Sequence, residues 1–133
     1  MARVIRAREL DADTSYEEGL EIEFGVCDAT VGSKRLTMGH TIIPPGNTNR
    51  WHYHTACEAS MYIVQGRVRA WWQTSDGQVH HADLTPGSFF FVAPFDPHTQ
   101  ENLSDIEPAE MVFAYGGVSS KDAAGTVFLP DPR

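Results

Sequence analysis

"GNTNRWHYHTACEASMYIVQG", from Gly46 to Gly66, is the most informative segment of this sequence. It places His52 and His54 one residue apart, and Glu58 follows shortly after them. Since residues i and i+2 of a strand point to the same side, these two histidines aim at one point if the segment is extended. Imidazole with a carboxylate suits Fe, Mn, Ni, Cu or Zn. The alternative is a pair of histidines that are exposed or bonded within the core, because short motifs often occur by chance.

A second informative segment, "GSFFFVAPFDPHTQEN", runs from Gly87 to Asn102. His98 follows a proline-rich turn and begins an expected strand. Gln100 comes two residues later and therefore shares the face of His98. The two segments together contain three histidines and one amide side chain that could serve a binding site.

The rest of the chain reads as short strands separated by Gly, Pro and Asp turns. Strands at this spacing, with this punctuation, predict an all-β sandwich or small barrel. One short helical stretch is expected in "DADTSYEEGLE", at 11–21. The predicted strands lie at 35–43, 59–66, 67–74, 78–84, 88–94 and 110–117.

Length and charge limit the domain count and the classes of partner. A chain of 133 residues suits one domain. The net charge of −8 argues against nucleic acid and against an anionic membrane surface as partners. No apolar run approaches the roughly 20 residues of a membrane span, and no secretory signal is visible at the N-terminus. Two cysteines form no disulfide framework, so we expect a cytoplasmic protein that binds a small molecule.

The first segment resembles the first motif of the cupin superfamily, Gly-x5-His-x-His-x3/4-Glu-x6-Gly. Gly46, His52, His54 and Glu58 match it in order, but seven residues rather than six separate Glu58 from Gly66. Counting back from that glycine puts the neighbouring Ala59 in the glutamate position instead. Because a one-residue slip reverses the face of a strand, a bulge is needed to aim Glu58 inward. We favour Glu58 over Ala59.

The second segment is similar to the second cupin motif, Gly-x5-Pro-x-Gly-x2-His-x3-Asn. Gly87, His98 and Asn102 match it, whereas Ala93 and Phe95 stand where the family usually has proline and glycine. Both departures lie in a turn and remove no ligand. The resemblance implies a single cupin domain over 1–133, an all-β double-stranded β-helix or jelly roll. Its barrel core would span about 36–117, and the N-terminal arm and C-terminal tail would pack outside.

The resemblance also implies a metal site. His52, His54, Glu58 and His98 would hold one divalent transition metal per chain, its identity among Fe, Mn, Ni, Cu and Zn left open. A metal that prefers six ligands would keep two positions for water, substrate or O₂. Such openness is typical of a catalytic site rather than of a structural one.

These implications lead to a functional prediction with alternatives. We expect a metal-dependent enzyme on a small organic substrate, most simply a dioxygenase-type oxidoreductase. Glu58, if it is not only a ligand, or His40 would act as the base, and Gln100 and Met38 would line the substrate pocket. A metal-assisted isomerase or lyase and a non-enzymatic ligand-binding module are the alternatives. Adjacent aromatics such as Trp71 and Trp72 point to opposite sides of a strand, so we also expect a homodimer that covers the outer face.

Overall fold

The computed structural model describes all 133 residues and is built almost entirely from short β-strands. The strands are β1 (Glu21–Val26), β2 (Leu36–Ile43), β3 (His52–His54), β4 (Glu58–Gln65), β5 (Val68–Gln73), β6 (Val79–Leu84), β7 (Phe89–Val92), β8 (His98–Asn102), β9 (Ala109–Gly116) and β10 (Thr126–Phe128). Helical structure is limited to a four-residue helix α1 (Asp28–Val31) and two 3₁₀ turns, Ala7–Glu9 and Asp122–Ala124. No helix has the length and apolar character needed to cross a membrane. The predicted all-β fold is confirmed.

The strands form two five-stranded antiparallel sheets. The first has the order β1-β2-β9-β4-β7, and the second has the order β10-β3-β8-β5-β6. The inner faces of the two sheets enclose the core, as in a jelly-roll barrel. This arrangement brings the two motifs side by side, because β3 pairs with β8 in the second sheet and β4 pairs with β7 in the first.

Strict alternation along the central strand β9 shows how the core is filled. Ala109, Met111, Phe113 and Tyr115 are buried, and the residues between them are partly exposed. The paired strand β2 places Gly39 directly opposite Phe113. A side chain on that glycine would overlap the Phe113 ring, so the glycine makes room for the aromatic ring in the core.

The two ends of the chain take part in the sheets rather than only packing outside them. β1 pairs with β2 at the edge of the first sheet, and Leu20 and Ile22 belong to the hydrophobic core. β10 pairs with β3 at the edge of the second sheet. The N-terminal arm and the C-terminal tail, expected to pack outside a barrel core of about 36–117, each add one edge strand to a sheet.

The expected helix at 11–21 does not form. Asp13 Oδ1 accepts hydrogen bonds from the backbone N–H groups of Ser15 and Tyr16, which makes a turn. Gly19 then adopts a left-handed conformation with φ of 89°. These local bonds compete with helical ones. The segment consequently bends across the end of the barrel instead of lying along its surface.

Candidate metal centre

Three histidines meet between β3 and β8 of the second sheet. His52 and His54 both point inward from β3, as their i, i+2 spacing predicts. Both residues are buried, and so is His98. His98, the first residue of β8, lies directly opposite His52 in the strand pairing. The rings of these two residues are 4.3 Å apart between centroids, and one ligand atom from each of the three histidines lies within 4.8 Å of the others. This is the cluster that the sequence predicted.

Backbone carbonyl groups fix the orientation of two of the rings. Nδ1 of His52 lies 2.7 Å from the carbonyl oxygen of Arg50, and Nδ1 of His98 lies 2.8 Å from that of Asp96. A carbonyl can only accept, so each Nδ1 carries the proton and each Nε2 of a neutral ring has a free lone pair. Such outer contacts are typical of histidines that bind metals.

The third ring is oriented by a hydroxyl group. Nδ1 of His54 lies 2.9 Å from Oγ1 of Thr126, which is the first residue of β10. The Thr126 hydroxyl is in turn 2.7 Å from the hydroxyl of Tyr16, and burial raises the pKa of Tyr16 to about 12, so that phenol keeps its proton. The C-terminal strand and the N-terminal segment thus both support His54.

Burial keeps two of the imidazoles in the form that binds metal. It lowers the pKa of His54 to about 3, and the neighbouring His52 contributes to the same effect. Burial lowers the pKa of His98 well below its usual value as well. Neutral imidazole is the metal ligand, so these rings have no proton to release at neutral pH.

The carboxylate at this site comes from a residue that the sequence did not single out. Glu17 lies just before β1, is only 7% exposed, and places Oε1 3.1 Å from Nε2 of His52. No local pattern marks it, since it is adjacent to Glu18 in a segment that resembles an amphipathic helix. Only the bend of the chain across the barrel end brings it to the histidines.

Glu58 does not join the cluster. It is exposed at the start of β4, whereas Ala59 next to it is 2% exposed and lies in the core. The irregularity in the pairing of β4 with β9 lies between Ile63 and Gln65, beyond this position, so it does not turn Glu58 inward. The expected ligand and catalytic role of Glu58 is therefore corrected: Ala59 occupies the inward position, as counting back from Gly66 indicated.

The other expected site residues divide between the two faces of their strands. Gln100 is buried and lines the same cavity as the histidines. Met38 and His40 face outward from β2, because Thr41 and the other inward residues of that strand alternate with them. His40 Nε2 is 2.5 Å from Oε1 of Glu110 on the outer surface. The expected roles of Met38 in the pocket and of His40 as a base are incorrect.

A cavity of about 20 Å³ lies beside the three histidines. That volume suits a single ion or water molecule. Apolar side chains form about half of the wall. The lining residues are Glu17, Ile22, Thr41, His52, His54, Ala59, Met61, His98, Gln100, Met111, Phe113 and Tyr115.

The donor atoms around this cavity fit a divalent metal. Three buried imidazoles offer Nε2 atoms, and a buried carboxylate lies beside them. Gln100 Nε2 is buried with no hydrogen-bond partner, which leaves a donor for a bound molecule. Cys57 neither lines this cavity nor belongs to the cluster of ligand atoms. The arrangement could bind one divalent ion through nitrogen and carboxylate oxygen.

Comparison with known proteins places the chain in a family. The cupin domain family matches residues 39–115, more than half of the sequence, and the chain belongs to that family. A protein named polyketide synthase CurC from Streptomyces cyaneus is 29% identical over 131 residues, 98% of this chain and 79% of its own length. Germin-like protein 3-8 from Oryza sativa subsp. japonica is 26% identical over 92% of this chain and 56% of its own length.

Solved structures share the fold at lower identity. Oxalate decarboxylase from Bacillus subtilis at pH 4.6 superposes with a TM-score of 0.79 and 20% identity, covering 94% of this chain and 31% of that one. Oxalate decarboxylase from Lactobacillus farciminis, in a formate complex, gives a TM-score of 0.77 and 16% identity over 92% and 34%. The chain spans about a third of the length of these decarboxylase chains. Its likeness to them establishes the fold alone.

Proposed function

We propose that this protein is a metal-dependent enzyme acting on a small organic molecule, with dioxygenase-type oxidation as its reaction. One observation carries the proposal: His52, His54 and His98 direct their Nε2 atoms at one buried cavity while carbonyl and hydroxyl groups hold Nδ1. A divalent ion held there would supply Lewis-acid activation and, if redox-active, electron transfer between substrate and O₂.

The chain's own residues would position the substrate. Gln100 Nε2, which has no partner, could donate a hydrogen bond to a carbonyl or carboxylate oxygen beside the histidines. The Gln100 side chain is held from behind, because Asn49 Nδ2 lies 3.3 Å from its Oε1. The apolar wall that includes Met61 and Phe113 would exclude water from the reacting groups. A substrate with an oxygen donor and an apolar body matches the chemistry of this lining, and the cavity of about 20 Å³ would have to widen to admit it.

A second candidate is non-redox chemistry at a carbonyl group, such as isomerisation or lyase cleavage. The name of the Streptomyces relative, a polyketide synthase, favours it, since that relative matches 98% of this chain. The same Gln100 donor would then bind an enolate-like oxygen. The two candidates share the site and differ in whether O₂ is consumed.

The first experiment measures metals and then O₂. Plasma mass spectrometry on tag-free protein should find near-stoichiometric divalent metal in wild type and loss of it in His52→Ala and His98→Ala. Wild type loaded with Fe(II) or Mn(II) is then given a panel of small enols and β-dicarbonyl compounds, with and without O₂. Turnover with stoichiometric O₂ uptake supports oxidation, and turnover without O₂ supports the second candidate. Wild type that binds no metal after reconstitution would overturn both.

A further inference from the structure

Glu17 is the one residue lining the cavity that does not lie on a strand. The other lining residues lie on strands β1, β2, β3, β4, β8 and β9, whereas Glu17 lies in the irregular segment before β1. Its carboxylate is nevertheless more than nine-tenths buried. Burying a carboxylate among apolar residues is costly unless a cation or hydrogen-bond donor compensates. A compensating group is therefore required at this position.

The contacts of His52 indicate what that group is. Nδ1 of His52 faces the Arg50 carbonyl oxygen and Nε2 faces Oε1 of Glu17 at 3.1 Å, so both ring nitrogens point at acceptors. A neutral imidazole has one N–H group, and in His52 that group donates its hydrogen bond to the Arg50 carbonyl. The Nε2 lone pair and the carboxylate would then repel each other. A proton or a metal ion between them removes the conflict, and His54 and His98 each place a ligand atom within 4.8 Å of that of His52.

Two residues that precede Glu17 make contacts that hold it where it is. Asp13 forms an ion pair with Lys121, which ties the N-terminal segment to the C-terminal part of the chain. The Tyr16 hydroxyl lies 2.7 Å from Oγ1 of Thr126, the residue that orients His54. These anchors keep the carboxylate at the cavity as part of the fold.

We propose that Glu17 is the carboxylate ligand of the metal, supplied by the segment before β1 in place of the outward-facing Glu58. The inference rests on the proposed metal site and names its fourth ligand. It also predicts that metal binding orders this segment, because the ion would connect Glu17 to histidines on β3 and β8.

The test uses Co(II) as the probe, because its visible spectrum reports the number and type of ligands. Wild type, Glu17→Gln and the matched control Glu58→Gln are titrated with Co(II) against a competing chelator. Glu18→Gln, a change at the exposed neighbour, controls for altered charge in the segment. Thermal melts of the metal-free proteins check that each variant is folded. Hydrogen exchange of residues 14–19 is followed with and without Co(II).

We expect Glu17→Gln to bind Co(II) at least about tenfold more weakly, with a changed visible spectrum, while both control variants match wild type. Metal should slow amide exchange at 14–19 in wild type and not in Glu17→Gln. Wild-type affinity and spectrum in Glu17→Gln would overturn the inference and leave the three-histidine site standing, with a proton rather than a metal compensating Glu17. No Co(II) binding by wild type would overturn the inference together with the proposed function.

Discussion

Thr126 Oγ1 lies 2.9 Å from Nδ1 of His54, so a residue close to the C-terminus orients a histidine of the first motif. The pairing of β10 with β3 brings them together, with Thr126 directly opposite His54. The hydrogen bond with this hydroxyl occupies Nδ1 and leaves Nε2 facing the cavity. The strand β10 therefore forms the edge of the second sheet and also supplies the hydroxyl that orients His54.

Thr126→Val should weaken metal binding about 10- to 100-fold, because valine keeps the shape and removes the hydroxyl that holds His54. It also removes a partner of the Tyr16 hydroxyl, so some loss of fold stability accompanies it. Thr126→Ser keeps a hydroxyl and should restore most of the affinity. Competition with a chelator measures both. Equal metal affinities for the valine and serine variants would show that the Thr126 hydroxyl does not orient His54.

Gly39 should be intolerant of alanine for a reason that lies in the core. A Cβ there would come 2.6 Å from the Phe113 ring and would also overlap the backbone carbonyl of Glu23. The Glu23 backbone cannot shift away as readily as the end of a flexible side chain can. We therefore expect Gly39→Ala to lower the free energy of unfolding by about 1–3 kcal/mol or more. Urea denaturation measures it. Gly116→Ala is the control, since its Cβ would meet only Glu58 side-chain atoms at 3.5 Å, and a larger loss there would contradict this account.

The strand pattern was predictable because it is local. Alternation on β5 and the Ser75-Asp76-Gly77 turn after it are visible in sequence, and the structure pairs β5 with β6 across that turn. The phase of β2 was not visible. "LTMGHTII" has apolar residues on both faces, and the inward face is fixed by Gly39 meeting Phe113 of β9. Met38 and His40 were therefore assigned to the wrong side.

The same division between local and distant information applies to the metal centre. His52 and His54 followed from their spacing, and His98 from the motif that precedes it. Glu17 could not be found this way, because a turn at 13–16 and the closure of two sheets decide its position. Counting forward from His54 puts Glu58 in the position of the carboxylate ligand, whereas counting back from Gly66 puts Ala59 there. Only the strand pairing decides between the two residues.

Acid should destabilise the metal-free protein through its buried histidines. The pKa of His54 is about 3 in the folded state, against about 6.5 in an unfolded chain, so below pH 6.5 the unfolded state binds more protons. Stability should fall as the pH drops through this window, by up to about 1.4 kcal/mol per pH unit for each such histidine.

Urea unfolding of metal-free protein at pH 7.5, 6.5 and 5.5 measures this slope. His54→Gln removes one titrating group and should flatten the fall below pH 6.5, whereas His80→Gln, at an exposed position on β6, should not. A wild-type slope in His54→Gln would mean that His54 is not held neutral by burial in the folded protein.

The outer face of the first sheet carries exposed apolar side chains that we propose form a homodimer interface. Tyr62 of β4 pairs with Phe89 of β7, with ring centroids 4.8 Å apart. Phe89 and Phe91 point to the same side of β7 and are 75% and 59% exposed. Met38, expected in the pocket, lies on this face too. Apolar patches of this kind mark interaction surfaces, and a second copy of the chain would cover it.

Phe91→Glu should convert a dimer into a monomer, because association would bury the new charge without a partner. Size-exclusion chromatography with light scattering measures the mass of each variant. Ile106→Glu is the matched control, since Ile106 is also exposed but lies in the loop between β8 and β9, away from this face. The introduced carboxylate should leave the melting temperature of the monomer nearly unchanged, because the Phe91 side chain that it replaces is mostly in solvent. A monomeric wild type would rule out the proposed dimer. A dimer that survives Phe91→Glu and is lost in Ile106→Glu would place the interface away from this face.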